Sequence, residues 1–137
     1  MIIVSACLAG IQCRYDGVGK PCKAVIRLVA EGKAMPVCPE QLGGLPTPRL
    51  SSEIKNGCVV RKDGINVTEE FERGAQEALK LAQLVGAKEA ILKSCSPSCG
   101  VGKVYDGNFN GTLGDGDGVF TVLCKRNGIT VKTEEGL

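Results

Sequence analysis

The chain has 137 residues, of which 43% are hydrophobic and 23% are charged, and its formal net charge is +2. This composition excludes a disordered or low-complexity chain, and because aromatic residues make up only 4%, any core must be aliphatic. Histidine is absent, which excludes a Ser-His-Asp triad, a Cys-His dyad and every zinc site with a histidine ligand.

The first third of the chain predicts two strands separated by a helix. Met1–Leu8 is apolar and rich in β-branched residues, which favours a buried strand. Apolar residues at helical spacing predict a helix over Pro21–Gly32, and Ala34–Cys38 is a second short strand. Pro39–Ser52 holds three of the six prolines, so we expect a long irregular loop, and such loops are usually functional.

The rest of the chain continues the alternation. We predict a strand over Gly57–Asp63, a helix from Asn66 or Thr68 to about Val85, a strand over Glu89–Lys93, a small hairpin over Val104–Phe109, a glycine-rich loop over Thr112–Gly118, a helix over Val119–Arg126 capped by Asp117, and a strand over Ile129–Lys132. The acidic tail is expected to be solvated. Alternating strands and helices predict an α/β sandwich with a mainly parallel central sheet flanked by helices, in a single domain over residues 1–137.

Eight cysteines are many for an intracellular protein; they are Cys7, Cys13, Cys22, Cys38, Cys58, Cys95, Cys99 and Cys124. A disulfide scaffold is one explanation, but a chain with this much aliphatic core does not require such cross-links. The residues before Cys7 are too few for a secretory signal peptide, and no apolar run approaches the ~20 residues of a membrane span. We therefore expect a cytoplasmic protein with reduced thiols.

Three of these cysteines lie where a predicted strand ends, namely Cys7, Cys38 and Cys99. Such strand ends meet at one edge of an open α/β sheet, where ligands bind. Three thiolates at one edge suggest a metal or iron–sulfur site, with structural packing and redox chemistry as the alternatives. Cys13, beside Arg14, is either a further ligand or a bystander. Cys22, Cys58 and Cys124 fall in predicted regular elements and are expected to be packing residues, whereas Cys95 remains ambiguous.

Several motifs carry a family resemblance. They are Ser5-Ala6-Cys7-Leu8-x-Gly10, Cys13-Arg14-Tyr15-Asp16-Gly17, Pro36-Val37-Cys38-Pro39-Glu40, Gly43-Gly44-Leu45-Pro46-x-Pro48-Arg49, Asp63-Gly64 and Leu92-Lys93-x-x-Ser96-Pro97-Ser98-Cys99-Gly100. In this order they resemble the domain-of-unknown-function family 523, whose characterised members are thiouracil desulfidases. The resemblance extends from Met1 to about Lys132.

The resemblance implies a site and a reaction. It implies a [4Fe–4S] cluster held by Cys7, Cys38 and Cys99, with one iron not ligated by protein and with Cys13 as a rival for the first ligand. It implies Glu40 and Ser96 as catalytic residues. The expected reaction is a non-redox conversion of C=S to C=O, with sulfide release, on a thiolated pyrimidine or similar small thioamide.

Other interpretations accompany each of these residues. Glu40 is either a general base or an ion-pair partner of Arg49, and Ser96 before Pro97 is also a common start of a turn. Arg14, Tyr15 and Arg49 either bind the polar atoms of a substrate or only fix their loops. The alternative function is an iron–sulfur or thiolate-metal binding protein without turnover, and a third is a structural protein with buried thiols. No nucleic-acid partner is expected, because basic blocks and stacking aromatics are lacking.

Overall fold

The computed structural model describes residues 1–137. Its elements are, in chain order, β1 (Ile2–Ser5), a 3₁₀ helix (Ala6–Ala9), α1 (Lys23–Ala30), β2 (Ala34–Val37), α2 (Pro39–Leu42), β3 (Ser52–Lys55), β4 (Cys58–Arg61), α3 (Thr68–Leu84), β5 (Glu89–Leu92), β6 (Lys103–Tyr105), β7 (Leu113–Asp115), α4 (Val119–Arg126), β8 (Thr130–Thr133) and a C-terminal 3₁₀ helix (Glu134–Gly136).

The central sheet has four strands in the order β2-β1-β5-β8, and every neighbouring pair is parallel. This confirms the predicted α/β fold with a mainly parallel sheet. Two antiparallel hairpins, β3-β4 and β6-β7, lie outside that sheet. No helix of the chain has the length and apolarity that crossing a membrane requires.

The two faces of the sheet pack against different helices, as the alternation of side chains along a strand requires. Ile3 on β1 belongs to a core that includes Ala78 of α3 and Phe120 of α4. The next residue, Val4, belongs to a second core with Val25 of α1. Every one of these side chains is fully buried. The sheet is therefore covered on both sides and is a rigid base for groups at its edge.

The first predicted strand was too long. β1 ends at Ser5, and the chain turns into the 3₁₀ helix, so Cys7 lies beyond the strand and not within it. The predicted loop over Pro39–Ser52 was also wrong at its start, because α2 begins there. Proline at the first helical position and Glu40 in the first turn are both favourable for a helix start.

The short helix α2 is fixed by direct contact with the backbone of α3. A Cβ atom on Gly43 would lie 1.9 Å from the Glu70 carbonyl oxygen, and one on Gly74 would lie 1.7 Å from the Pro39 carbonyl oxygen. Only glycine permits this approach at either position. The contact sets the position of Cys38 and Glu40 relative to the core.

Three other predictions need correction. The Thr112–Gly118 segment contains β7, which pairs with β6, so the hairpin extends beyond Phe109. Gly118 and not Asp117 is the N-cap residue of α4; Asp117 instead accepts a hydrogen bond from Lys125. The acidic tail is only partly solvated, because Glu134 binds back to the end of β5.

Candidate active site

The ends of three adjacent parallel strands bring Cys7, Cys38 and Cys99 to the same cavity. Cys7 follows β1, Cys38 immediately follows β2, and Cys99 lies in the segment after β5. The sheet order places β1 between the other two strands. The cavity has a volume of about 440 Å³. The sequence-based expectation that these cysteines meet at one sheet edge is therefore met by the geometry.

The segment that carries Cys99 is held by the start of α4. The amide groups of Val119 and Phe120 donate to the carbonyl oxygens of Pro97 and Ser98 at 2.9 and 2.8 Å. The Thr121 hydroxyl donates to the Cys99 carbonyl oxygen at 3.0 Å. These bonds satisfy donors that a helix start otherwise leaves free, and they fix a segment with no regular structure of its own.

Two of the three thiols have raised pKa values. Burial, together with the nearby Cys38 sulfur, raises the pKa of Cys7 to about 11, although Lys93 and Arg14 oppose the shift. Burial raises the pKa of Cys99 to about 12, against hydrogen bonds from Ser5 and Ser98. Buried thiols of this kind are poor nucleophiles. They become thiolates when a metal replaces the proton, and binding then releases protons.

Cys38 differs because it is paired with Cys13. The hydrogen bond between them runs from Cys38 Sγ to the carbonyl oxygen of Cys13 at 3.8 Å. The neighbouring Cys13 thiol lowers the pKa of Cys38 to about 7, and the same interaction raises the pKa of Cys13. Cys13 is 2% exposed and lines the same cavity. The structure therefore places five cysteines around the cavity, and Cys13 contacts Cys38. They are Cys7, Cys13, Cys38, Cys95 and Cys99. All eight cysteines are free thiols.

The chemistry of these sulfur donors fits an iron–sulfur cluster. No group of three His, Cys, Asp or Glu side chains converges on one point as a mononuclear metal site requires. A multi-iron cluster takes its thiolates at separate corners, so donors spread around a cavity fit it. Soft thiolate donors are also the ligand type that selects iron–sulfur clusters.

Glu40 and Arg49 form an ion pair in the cavity wall. The Glu40 Oε1 atom accepts from Arg49 Nε at 3.1 Å and from Nη2 at 3.0 Å. The two side chains are 15% and 7% exposed. Arg49 also donates to the carbonyl oxygens of Cys13 and Pro46. Its donors are thus used within the protein, and they hold one carboxylate oxygen of Glu40 in a fixed place.

The other carboxylate oxygen of Glu40 belongs to a chain of hydroxyl groups. Ser98 Oγ donates to Glu40 Oε2 at 2.9 Å, and Ser96 Oγ lies 3.0 Å from Ser98 Oγ. All three residues line the cavity. Ser98 is a functional candidate that the sequence analysis missed, because its partner lies 58 positions away in the sequence.

The hydrogen bonds of this chain have a definite direction. Ser96 Oγ already accepts from the amide groups of Ser98 at 3.2 Å and of Cys99 at 3.1 Å. A hydroxyl has two acceptor lone pairs and one proton, so Ser96 has only its proton left to offer to Ser98. The single proton of Ser98 has two acceptors in reach, Glu40 Oε2 at 2.9 Å and Cys99 Sγ at 3.6 Å. The shorter bond to a carboxylate is the stronger one, so the proton points to Glu40. The order is Ser96 to Ser98 to Glu40.

The remaining predicted residues, Arg14 and Tyr15, also line the cavity. Arg14 lies over the ring of Tyr15, with its guanidinium carbon 5.6 Å from the ring centre, and pairs with Asp16 at 3.6 Å. A cation above an aromatic face is a favourable contact. Lys93 is a cavity residue that the sequence analysis did not assign; its Nζ lies 3.2 Å from Glu134 Oε2.

Comparison with known proteins identifies the family to which the chain belongs. The family model described as 2-thiouracil desulfurase matches residues 2–136. The chain belongs to the 2-thiouracil desulfurase family. It is 42% identical, over a 147-residue alignment, to the uncharacterized protein YbbK of Bacillus subtilis (strain 168), and the alignment covers 100% of this chain and 97% of that protein.

A solved structure is similar to this member of the family over nearly its whole length. The [4Fe-4S]-dependent thiouracil desulfidase TudS (DUF523Vcz) is 48% identical, with a TM-score of 0.95, and the match covers 99% of this chain and 91% of that one. The family resemblance inferred from the motifs is thus confirmed, and so is the expectation of a desulfidase.

Proposed function

We propose that this chain is a [4Fe–4S]-dependent desulfidase that converts the C=S group of a thiolated pyrimidine, or of a similar small thioamide, to C=O and releases sulfide. The observation that carries the proposal is that one cavity, in a member of the 2-thiouracil desulfurase family, combines three cysteines from adjacent strands with a directed Ser96–Ser98–Glu40 chain. Cys7, Cys38 and Cys99 hold the cluster in this proposal.

Three protein ligands leave one of the four irons without a protein ligand, and when bound the cluster supplies a Lewis acid with affinity for sulfur. Cys13 is proposed not as a ligand but as a neighbour of Cys38, whose sulfur lies 3.8 Å from the Cys13 carbonyl oxygen; when Cys38 is a thiolate ligand, the Cys13 thiol can donate a hydrogen bond to it. Hydrogen bonds to ligand sulfurs are one of the means by which a protein tunes an iron–sulfur centre.

The protein residues move the proton of the attacking water. Water adds to the thiocarbonyl carbon and gives a proton to Ser96 Oγ, which releases one of its two amide hydrogen bonds to accept it, while the proton of Ser96 passes to Ser98 and that of Ser98 to Glu40. Negative charge that develops on Ser96 Oγ is stabilised by the amide group that stays bonded to it. Glu40 therefore accepts the proton through two serines and holds it until the sulfur leaves.

The reaction balances without an oxidant or a reductant. The C=S double bond is replaced by a C=O double bond whose oxygen comes from water. The sulfur leaves as hydrogen sulfide, with one proton from the added hydroxyl group and the other returned by Glu40. One thiocarbonyl and one water thus give one carbonyl and one hydrogen sulfide. Arg49 positions Glu40. Arg14 and Tyr15, which line the cavity, are proposed to contact the polar atoms of the substrate.

The proposal is tested with protein purified without oxygen and reconstituted with iron and sulfide. Cluster-loaded protein is expected to release one sulfide for each 2-thiouracil converted to uracil, with no added electron donor. Glu40→Gln should retain iron and the cluster absorption but lose turnover by about 100-fold or more, the usual range for a missing general base. A chain that binds no cluster, or a Glu40→Gln variant with full turnover, contradicts the proposal and favours a binding protein.

A further inference from the structure

The hairpin between β6 and β7 carries an aromatic residue in an unfavourable backbone conformation at the edge of the cavity. Phe109 has a backbone φ of +54°, a value that residues other than glycine rarely adopt. It lines the same cavity as the cysteines. Among residues other than glycine, only Asn56, Cys95 and Phe109 have positive φ. Asn56 precedes Gly57 in the β3–β4 turn, where this conformation is ordinary.

A buried carboxylate holds Phe109 in that conformation. Glu53 Oε1 accepts hydrogen bonds from the amide groups of Gly107 at 3.0 Å and Phe109 at 3.1 Å. Glu53 lies on β3 and is only 9% exposed. A buried charged group normally has a partner of opposite charge, whereas here the hydrogen-bond donors are two backbone amides of one loop. Unfavourable backbone geometry that the surroundings enforce is characteristic of functional sites.

The same loop is pressed closely against β3. A Cβ atom on Gly107 would lie 2.6 Å from the Cβ atom of Lys55 and 2.8 Å from the carbonyl oxygen of Ile54. Glycine at this position is what allows the loop to reach β3. The position of Phe109 is therefore set by two independent contacts, the close approach at Gly107 and the hydrogen bonds to Glu53.

The aromatic residues outside the core are concentrated around the cavity. The chain has only two tyrosines and three phenylalanines. Phe71 and Phe120 are buried in the core. The other three, Tyr15, Tyr105 and Phe109, all line the cavity. In a chain with so few aromatic rings, their concentration around one cavity indicates a site for a flat, unsaturated ligand.

We infer that Phe109, positioned by Glu53, is a specificity-determining residue that stacks on the heteroaromatic ring of the substrate. The inference rests on the proposed function for the choice of ring, a pyrimidine, but it concerns binding and not the chemical step. Stacking on an aromatic side chain is effective for any planar base. Glu53 is a positioning residue, since it acts on the ring only through the loop.

The test measures equilibrium binding of uracil, the reaction product, to cluster-loaded protein by calorimetry, beside the steady-state kinetics of that protein with 2-thiouracil. Phe109→Ala is expected to raise Kd for uracil and KM for 2-thiouracil by about tenfold to a hundredfold, the range set by loss of one stacking partner. The turnover number should change little. Asn108→Ala is the matched control, because Asn108 is the exposed neighbour in the same loop and does not line the cavity.

A second pair of variants separates stacking from folding. Phe109→Gly relieves the positive φ, so its melting temperature should equal or exceed that of the wild type while uracil binding weakens as in Phe109→Ala. Glu53→Gln keeps an oxygen that accepts both amide groups and should retain binding, whereas Glu53→Leu should lose it.

An unchanged Kd for uracil in Phe109→Ala, or no binding of uracil by the wild type, overturns the inference. Wild-type protein that binds uracil through Phe109 but releases no sulfide would contradict the proposed function alone, so the two failures are distinguishable.

Discussion

Ser98 donates a 2.9 Å hydrogen bond to Oε2 of Glu40 and thereby links a residue after β5 to one in α2. Ser98 is only 3% exposed, so the bond is shielded from water. A proton that reaches Glu40 from Ser96 along this chain must pass through the Ser98 hydroxyl. Ser98 is therefore as important to the proposed proton path as the two residues that the sequence indicated.

Replacement of Ser98 by alanine should break the proton path but leave the cluster in place. We expect kcat to fall by about 100-fold, in the range of a lost proton-transfer step, with unchanged iron content. Ser51→Ala is the control, because Ser51 lines the cavity but its side chain takes no part in the chain of hydroxyls. A solvent isotope effect on kcat that persists unchanged in Ser98→Ala would contradict the path.

Ser96→Ala should differ from Ser98→Ala in a way that separates catalysis from structure. Ser96 Oγ accepts the amide groups of Ser98 and Cys99, so its loss frees two donors next to a proposed cluster ligand. We expect Ser96→Ala to lose turnover and also to release iron faster on dilution into a chelator. Equal rates of iron release in the two serine variants would show that Ser96 does not support the Cys99 segment.

The ion pair between Glu40 and Arg49 gives a prediction about stability. Arg49→Met leaves a largely buried carboxylate without its partner and should lower the free energy of unfolding by about 3 kcal/mol. The same substitution in a Glu40→Gln background should cost clearly less, because the charge that needed the partner is gone. Urea unfolding of the four proteins measures the difference. Equal costs in both backgrounds would mean that Arg49 acts through Cys13 and Pro46 and not through Glu40.

Much of the site could be predicted because its residues lie at strand ends. Cys7, Cys38 and Cys99 each follow a short apolar strand, and parallel strands direct their ends to one edge. The detailed support could not be predicted. The Ser98–Glu40 bond joins residues 58 positions apart, and no local pattern reports such a distance. The hydrogen bonds that hold Phe109 depend on a buried glutamate in β3, a strand that the sequence analysis did not predict.

One of the missed features did have a local signal. Pro39 and Glu40 after Cys38 are typical of a helix start, but the prolines and glycines that follow obscured it. The prediction of a solvated C-terminal tail is wrong for a different reason. A run of acidic residues usually faces water, whereas Glu134 finds the amide group and hydroxyl of Ser94 at 2.8 and 2.9 Å. Tertiary contacts of this kind override composition.

The cysteine variants test which sulfurs hold the cluster. Serine in place of Cys7, Cys38 or Cys99 should each reduce the iron bound after reconstitution, because each removes a ligand. Cys13→Ser should retain the full iron content, since in the proposed site Cys13 is a neighbour of Cys38 and not a ligand. Cys124→Ser is a matched control, a fully buried cysteine in the core away from the cavity. Full iron content in Cys7→Ser, with loss in Cys13→Ser, would exchange the two assignments.

The contact of Glu134 with the end of β5 predicts a pH dependence of stability. Burial alone would raise the pKa of Glu134, but hydrogen bonds from Ser94 and Lys93 outweigh it and hold the pKa below its ordinary value of 4.5. A carboxyl group whose pKa is lower in the folded state stabilises that state above its ordinary pKa, and the stabilisation is lost as pH falls through the folded value. Glu134→Gln should therefore be less stable than the wild type by about 1 kcal/mol at pH 7, as expected for charged hydrogen bonds at a partly exposed site. The difference should shrink progressively as pH falls below 4.5.

Urea unfolding at pH 7 and at several acidic pH values measures this difference. Glu135→Gln is the control, because Glu135 is exposed and its side chain makes no hydrogen bond. A difference between Glu134→Gln and the wild type that is constant with pH would mean that the carboxylate charge of Glu134 does not stabilise the end of β5.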